Sequence, residues 1–237
     1  MNEYPKTVGR RSLLIGLDDP TTATGVAAVH VGTVKAVKIS NAAPKNPVRP
    51  YPKMTLDLER TALVVIDPQI DCMSQKSASG TIIGDIVTVH KAIQNLARLF
   101  KASKRSGITV AVSLTRDRVR GSGSDFMQGL KRYIEDGKTI ICSPYTAYSP
   151  LPWVNDIGLQ LRKRHLDQII LAGMIANLRI EFHLREFLEQ AFEVAVVRDA
   201  VTGSKLPEGA GYLSALANFR CIASAIWTTE EAVRMFG

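Results

Sequence analysis

Long apolar runs are missing from this 237-residue chain. No stretch approaches the roughly 18 residues a bilayer span requires, so no transmembrane helix is expected. The short run Leu13-Leu14-Ile15 lies between Glu3 and the pair Asp18-Asp19 and does not make a signal peptide. Cysteine is scarce. Cys72, Cys142 and Cys221 are far apart, with no C-x-x-C spacing and no His-rich partner motif. That argues against a zinc ribbon, a structural metal or a disulfide framework, and the three read as reduced thiols of a cytoplasmic protein. Aromatic residues make up only 6% of the chain and do not interleave with basic ones. A base-stacking platform is therefore absent, as are nucleic-acid motifs, internal repeats and low-complexity tracts.

What remains is an ordinary globular composition, 46% hydrophobic and 22% charged, long enough for one full-sized core. The formal charge of +8 is unevenly placed, because residues 1–56 hold eight Lys/Arg against three Asp/Glu. The basic excess thus sits mostly in an N-terminal arm, which reads as solvated, with neither nucleic acid nor membrane as its partner. Pro5, Pro20, Pro44, Pro47, Pro50 and Pro52 punctuate residues 1–57. One or two short strands in an extended arm are expected there, joined through a stiff polyproline-like connector at 46–52. The domain proper is expected over residues 58–237.

From residue 58 the pattern becomes regular βα alternation. Ala62-Leu63-Val64-Val65-Ile66 is a continuous apolar run, the mark of a strand buried on both faces. Ile86, Val89, Ile93, Leu96, Ala97 and Phe100 follow with helical period. Strands are then expected at 108–114, 139–142, 169–172 and 194–197, the last ending in an Arg198-Asp199 turn. Helices are expected at 126–134, from an Asn155 cap to 164, and at 177–190, 212–224 and 229–235. This is an α/β class: an open parallel sheet flanked by helices on both faces, a Rossmann-like three-layer arrangement with an N-terminal arm.

In such sheets ligands bind outside the carboxyl ends of the strands. Three segments qualify: Asp67 after the first strand, residues 143–148 after the third, and residues 172–179 after the fourth. The junction Gly173-Met174-Ile175-Ala176-Asn177 turns a strand into a helix and is expected to aim backbone N–H groups at whatever lies above it.

Three motifs recur in order. They are Leu63-Val64-Val65-Ile66-Asp67-Pro68-Gln69, then Leu171-Ala172-Gly173-Met174-Ile175-Ala176-Asn177-Leu178 with Ile180-Glu181, then Val194-Ala195-Val196-Val197-Arg198-Asp199-Ala200. Together they resemble the isochorismatase-like cysteine hydrolases over roughly residues 58–237. The resemblance implies a triad of Asp, Lys and Cys, with the Cys attacking a carbonyl or carbon–nitrogen centre. It also implies that Gln69, Tyr145, Tyr148, Ile175, Ala176 and Asn177 line a substrate pocket, and that no cofactor is used.

Asp67 matches the family's aspartate, but the nucleophile position holds Arg179. The lysine is expected near the end of the third strand, yet residues 139–162 contain none, and Lys138 lies before that strand. Tyr145 and Thr146 stand where a histidine and a lysine are usual in the subgroup this most resembles. A long insertion usual before Gly121-Ser122-Gly123 is missing, and Cys72 stands where an aromatic is usual. An arginine in a helix's first turn opposes the helix dipole, so a counter-charge is needed, and Asp67 is the nearest candidate. The alternative partners are solvent and Glu181.

Read this way, the chain is a family member with impaired chemistry, a pseudoenzyme with a binding or subunit role. It would bind a small molecule and assemble with itself or with an active relative. The alternative is an active hydrolase of a small amide, ester or enol ether that uses nonstandard residues. Cys72 and Cys142 are candidates for such a rescue, each reading more readily as core, while His183, four residues beyond Arg179 on the same helix, could share its face but is not favoured for catalysis.

Overall fold

The computed structural model describes residues 54–73, 86–115, 118–142, 144, 155–207 and 209–237. The arm expected over residues 1–57 lies outside the described residues as far as residue 53. Tyr145, Thr146 and Tyr148 also lie outside them.

Six strands form one parallel sheet: β1 (Thr61–Ile66), β2 (Thr109–Ser113), β3 (Ile140–Cys142), β4 (Gln168–Gly173), β5 (Glu193–Val201) and, after a small antiparallel pair of β6 (Lys205–Leu206) and β7 (Gly209–Ala210), β8 (Ala225–Trp227). The spatial order is β3-β2-β1-β4-β5-β8. Every residue of β1 and β4 is buried, as continuous apolar runs require. Between them, α1 (Ile70–Met73), α2 (Ile86–Arg105), α3 (Gln128–Ile134), α4 (Ile157–Arg162), α5 (Glu181–Glu189), α6 (Gly211–Ile222) and α7 (Thr229–Met235) complete the chain.

Side chains alternate across the strands, so two cores form. Leu63 and Val65 of β1 pack with Leu96, Phe100, Leu130 and Ala232 from α2, α3 and α7. Ala62, Val64 and Ile66 pack with Leu161, Leu184, Phe187 and Phe219 from α4, α5 and α6. The result is the three-layer α/β sandwich the alternation implied.

The differences from expectation are local. Strand β5 continues past Arg198 and Asp199, where a turn is expected, but its register against β4 shifts there, Leu171 facing Val196 and Gly173 facing Val201. The Asp199 carboxylate is used at the start of α7, accepting from Thr229 N at 2.7 Å and Thr229 Oγ1 at 2.8 Å. Helix α3 begins at Gln128 because Phe126 bridges to Gln69 and Met127 N donates to Pro68 O at 3.0 Å. Asn155 does not cap α4 directly; its Oδ1 accepts from Ile157 N at 3.2 Å, one residue outside the cap at Asp156.

The sheet order reverses between β1 and β4, since one leads to β2 on one side and the other to β5 on the opposite side. A doubly wound sheet opens its ligand crevice at the carboxyl ends of such a strand pair. Here those ends carry Asp67 and the 174–179 junction.

Candidate active site

Asp67 leaves β1 in the left-handed region, with φ of 50°, and is fully buried. Its N–H is spent on Ser113 O at 2.9 Å, which ties the end of β1 to the end of β2. The carboxylate is held from two sides. Thr115 Oγ1 donates to Oδ1 at 2.6 Å, and Arg179 Nη1 donates to Oδ2 at 2.9 Å. The guanidinium side chain keeps only 11% of its surface exposed, so this is a buried ion pair.

The chain reaches that geometry through a tight junction. Gly173 has φ of +125°, and a Cβ there would lie 2.2 Å from Ile66 O and 2.6 Å from Ile66 N. Only glycine allows β4 to pass so close to β1 in that conformation. The Met174–Ile175 peptide is cis. Residues Ala176–Ile180 then form a π-helical turn, closed by Ile180 N donating to Ile175 O at 3.2 Å, before the α-helical geometry of α5. A π-turn widens the helix by one residue and often marks a functional position. Arg179 therefore lies in this turn, ahead of the α-helix whose first turn it was expected to occupy.

Two backbone donors of the junction are directed inward. Met174 N donates to Ile66 O at 3.0 Å, and Ala176 N donates to Thr202 O. The expectation that these N–H groups face an incoming ligand is not met at these two positions. Asn177 is likewise occupied, its Oδ1 accepting from Ser204 N at 3.0 Å and Ser204 Oγ at 2.8 Å. Ile175 and Ala176 are buried, in opposite cores. Gln69 is buried and donates through Nε2 to Ser124 O at 2.6 Å, clamping the Gly-Ser-Gly loop.

That loop fixes the fourth member of the cluster. Ile70 N bonds Asp125 O at 2.9 Å and Asp71 N bonds Gly123 O at 2.7 Å, so residues 121–125 hold α1 in place. Asp125 organises the loop. Its carboxyl is held well below the ordinary carboxylate range by the Gly121 N–H, then by Lys131 and Arg118. Helix α1 presents Cys72, whose Sγ lies 3.0 Å from Arg179 Nη1. Burial, and then the charge of Asp67, push the Cys72 thiol up to about 11, against the opposing pull of Arg179. Cys142 closes β3, and burial, followed by Asp156, pushes its thiol up to about 12. Both are protonated near neutral pH and are poor nucleophiles there.

The other expected partners resolve clearly. Glu181 turns to Arg185 at 2.8 Å and to Asn218 at 3.0 Å, leaving Asp67 as the carboxylate beside Arg179. His183 is fully buried, and burial pulls its imidazole down to about 3, with the Arg179 charge acting in the same direction. Its Nδ1 lies 2.7 Å from Arg179 O and its Nε2 lies 3.0 Å from Ser113 Oγ. A carbonyl only accepts, so Nδ1 carries the proton and Nε2 accepts from Ser113, which in turn accepts from Asn155 Nδ2 at 3.1 Å. This chain braces the backbone of Arg179 from the opposite core. Thr115, Ser113 and Asn155 were not foreseen as part of the site; nothing in their local sequence distinguishes them. Among the described residues, no cluster of His, Cys, Asp and Glu is placed to hold a metal ion.

The isochorismatase domain model matches residues 61–231, spanning β1 through the first turn of α7. This chain belongs to the isochorismatase family. Solved structures of the family superpose on it. A cysteine hydrolase from Pseudomonas syringae pv. phaseolicola 1448A gives a TM-score of 0.63 at 20% identity, covering 79% of this chain and 97% of that one. An isochorismatase-like hydrolase from Alkaliphilus metalliredigens gives 0.61 at 21% identity, covering 75% and 99%. A nicotinamidase from Bacillus subtilis gives 0.60 at 20%, covering 71% and 99%. At these identities the likeness is one of fold. A sequence search of the curated proteins finds no match. Among the described residues, no helix is long and apolar enough to cross a membrane.

Proposed function

We propose that this isochorismatase-family chain does not carry out the family's cysteine-hydrolase chemistry and works as a binding or subunit component. One observation carries the reading. The side chain at the nucleophile position is a guanidinium, and it is ion-paired at 2.9 Å with the fully buried Asp67. A carboxylate so engaged serves as a counter-ion and is no longer placed to take a proton from a nucleophile.

The remaining chemistry fits. Cys72 is adjacent but protonated, and His183 has both ring nitrogens committed within the fold. Removing one partner of a buried pair leaves an uncompensated charge, so Asp67 and Arg179 hold each other in place. The relatives' hydrolase and nicotinamidase activities belong to those proteins; on this reading the fold is kept while the reaction is not. Self-association, or assembly with an active relative, is the subunit role that follows, in a cytoplasmic setting with a small-molecule ligand as the other candidate partner.

The second reading is an active hydrolase of a small amide, ester or enol ether. Cys72 favours it, as a thiol already 3.0 Å from a cation. The test is to incubate purified protein with small amide, ester and vinyl-ether substrates and a thiol-directed probe. The proposal expects no turnover and a solution mass above that of one chain, or co-purification with an intact relative. Turnover that disappears in Asp67→Asn, Cys72→Ala or Cys142→Ala would overturn it.

A further inference from the structure

A second site is built on the opposite flank of the sheet. Helix α2 is 20 residues long and contains Lys91, Arg98, Lys101, Lys104 and Arg105 but no aspartate or glutamate. Among the described residues, carboxylates reach it from neighbouring elements. Glu230 of α7 pairs with Arg98 at 2.6 Å and also with Arg234 at 3.2 Å, while Asp136 pairs with Lys104 at 2.6 Å. Among the described residues, Lys101 and Arg105 have no ion-pair partner.

Arg98, Lys101 and Arg105 fall at spacings of three and four, which places them on one helical face about 10 Å long. They line a cavity of about 210 Å3, whose remaining walls are Ala102 and Val233. Like charges at these spacings repel and weaken a helix. The helix dipole accounts for a cation in the last turn, and so for Lys104 and Arg105. It does not account for Lys101 and Arg98, one and two turns further back. Three cations line one concavity, and among the described residues Glu230, paired with Arg98, is the carboxylate that meets them; the result is a local positive potential that a multiply charged anion would neutralise.

We infer that the α2–α7 cavity lined by Arg98, Lys101 and Arg105 binds the diphosphate or triphosphate group of a small ligand. Arginine offers paired N–H donors to phosphate oxygens, and lysine adds a compact charge. The cavity is smaller than the roughly 300 Å3 at which pockets for whole drug-sized ligands begin, which suits an oxyanion group with the rest of the ligand outside. Its short cationic face and apolar floor lack the aromatic stacking surface and long basic track of a nucleic-acid groove. Because α2 links parallel β1 to β2, it runs antiparallel to the strands. Its basic end therefore faces the amino-terminal edge of the sheet, away from Asp67. The site is independent of the chemistry at Arg179.

Calorimetric titration of the full chain with sodium pyrophosphate tests this, at low and at physiological ionic strength, with sodium sulfate at matched ionic strength as the comparison. Saturable binding of pyrophosphate that exceeds sulfate is expected. Lys101→Gln with Arg105→Gln should weaken it by about tenfold or more, while Lys91→Gln, on the same helix but outside the cavity, should leave it unchanged. No saturable binding would overturn the assignment, as would equal losses in Lys91→Gln and the double variant. So would tighter binding, per phosphate, to single-stranded oligonucleotide or to anionic phospholipid vesicles than to pyrophosphate.

Discussion

Replacing Asp67 by asparagine removes one negative charge from a fully buried side chain and leaves Arg179, 11% exposed, without its counter-ion. Losing one partner of a buried pair costs about 3–5 kcal/mol, because the surviving charge cannot be hydrated in place. Asparagine keeps one oxygen acceptor for Arg179 while its NH2 meets the Thr115 hydroxyl, which can turn to accept, so the lower end, about 3 kcal/mol, is expected. It also tolerates the left-handed backbone at this position. Asp67→Ala should lose a further 1–2 kcal/mol, roughly, for the same φ. For a domain of this size, about 3 kcal/mol corresponds to a fall in Tm of roughly 6–12 °C. The assay is urea denaturation of the wild type, Asp67→Asn, Arg179→Leu and the double variant, with unchanged m values as the check on two-state behaviour. The double variant should be more stable than the sum of the single losses implies, with a coupling of at least about 1 kcal/mol. A loss under about 0.5 kcal/mol in Asp67→Asn, or strict additivity, would refute the buried-pair argument.

Three further outcomes follow from the same geometry. Cys72 and Cys142 are buried and Cys221 is exposed, so near neutral pH a thiol reagent should label one cysteine in the folded protein and all three in denaturant. Rapid labelling of Cys72 in the native state would contradict its burial beside Arg179. His183 has its imidazole pulled from 6.5 down to about 3 by burial. The fold therefore favours the neutral ring, and its contribution is complete above about pH 6.5. It is lost as pH falls toward 3, with a slope of up to about 1.4 kcal/mol per pH unit. Urea titrations across that window should show the slope reduced in His183→Gln, and an unchanged slope would remove His183 from the account. Gly173→Ala places a Cβ 2.2 Å from Ile66 O at a φ of +125°. A loss of about 4 kcal/mol or more, or failure to fold, is expected by thermal denaturation, and tolerance of alanine would contradict the close β1–β4 approach.

The architecture was legible because its central strands are buried on both faces and so read as unbroken apolar runs, as in 62–66 and 169–172. Helix α7 could be read to the residue, since Thr228 and Glu231 form a capping box at its start. The short edge strand β8 was not legible, because Ala-Ile-Trp carries no period over three residues and follows a helix closely. The polar end of β5 was legible only as an interruption, and the structure has a register shift there inside a continuing strand. Arg198 and Asp199 look like turn residues, but Asp199 is spent on α7, an interaction set by tertiary contact. At the site, Asp67 and Arg179 could be paired from the sequence because the resemblance placed both on neighbouring strand ends. Thr115 carries no such signal, and Cys72, marked in the sequence as a departure and a candidate thiol, meets Arg179 only through the loop contacts that hold α1. The inward-facing N–H groups at Met174 and Ala176 were equally invisible, because their acceptors lie on other segments.

The most direct measurement is the rate of ammonia or carboxylate release from a panel of small amides and esters by the wild-type chain, beside Asp67→Asn, Cys72→Ala and Cys142→Ala. The buried Asp67–Arg179 pair predicts that all four proteins match the uncatalysed background. Wild-type turnover above background that is abolished by Asp67→Asn or by either cysteine change would show that Asp67 still serves a nucleophile, contradicting the account.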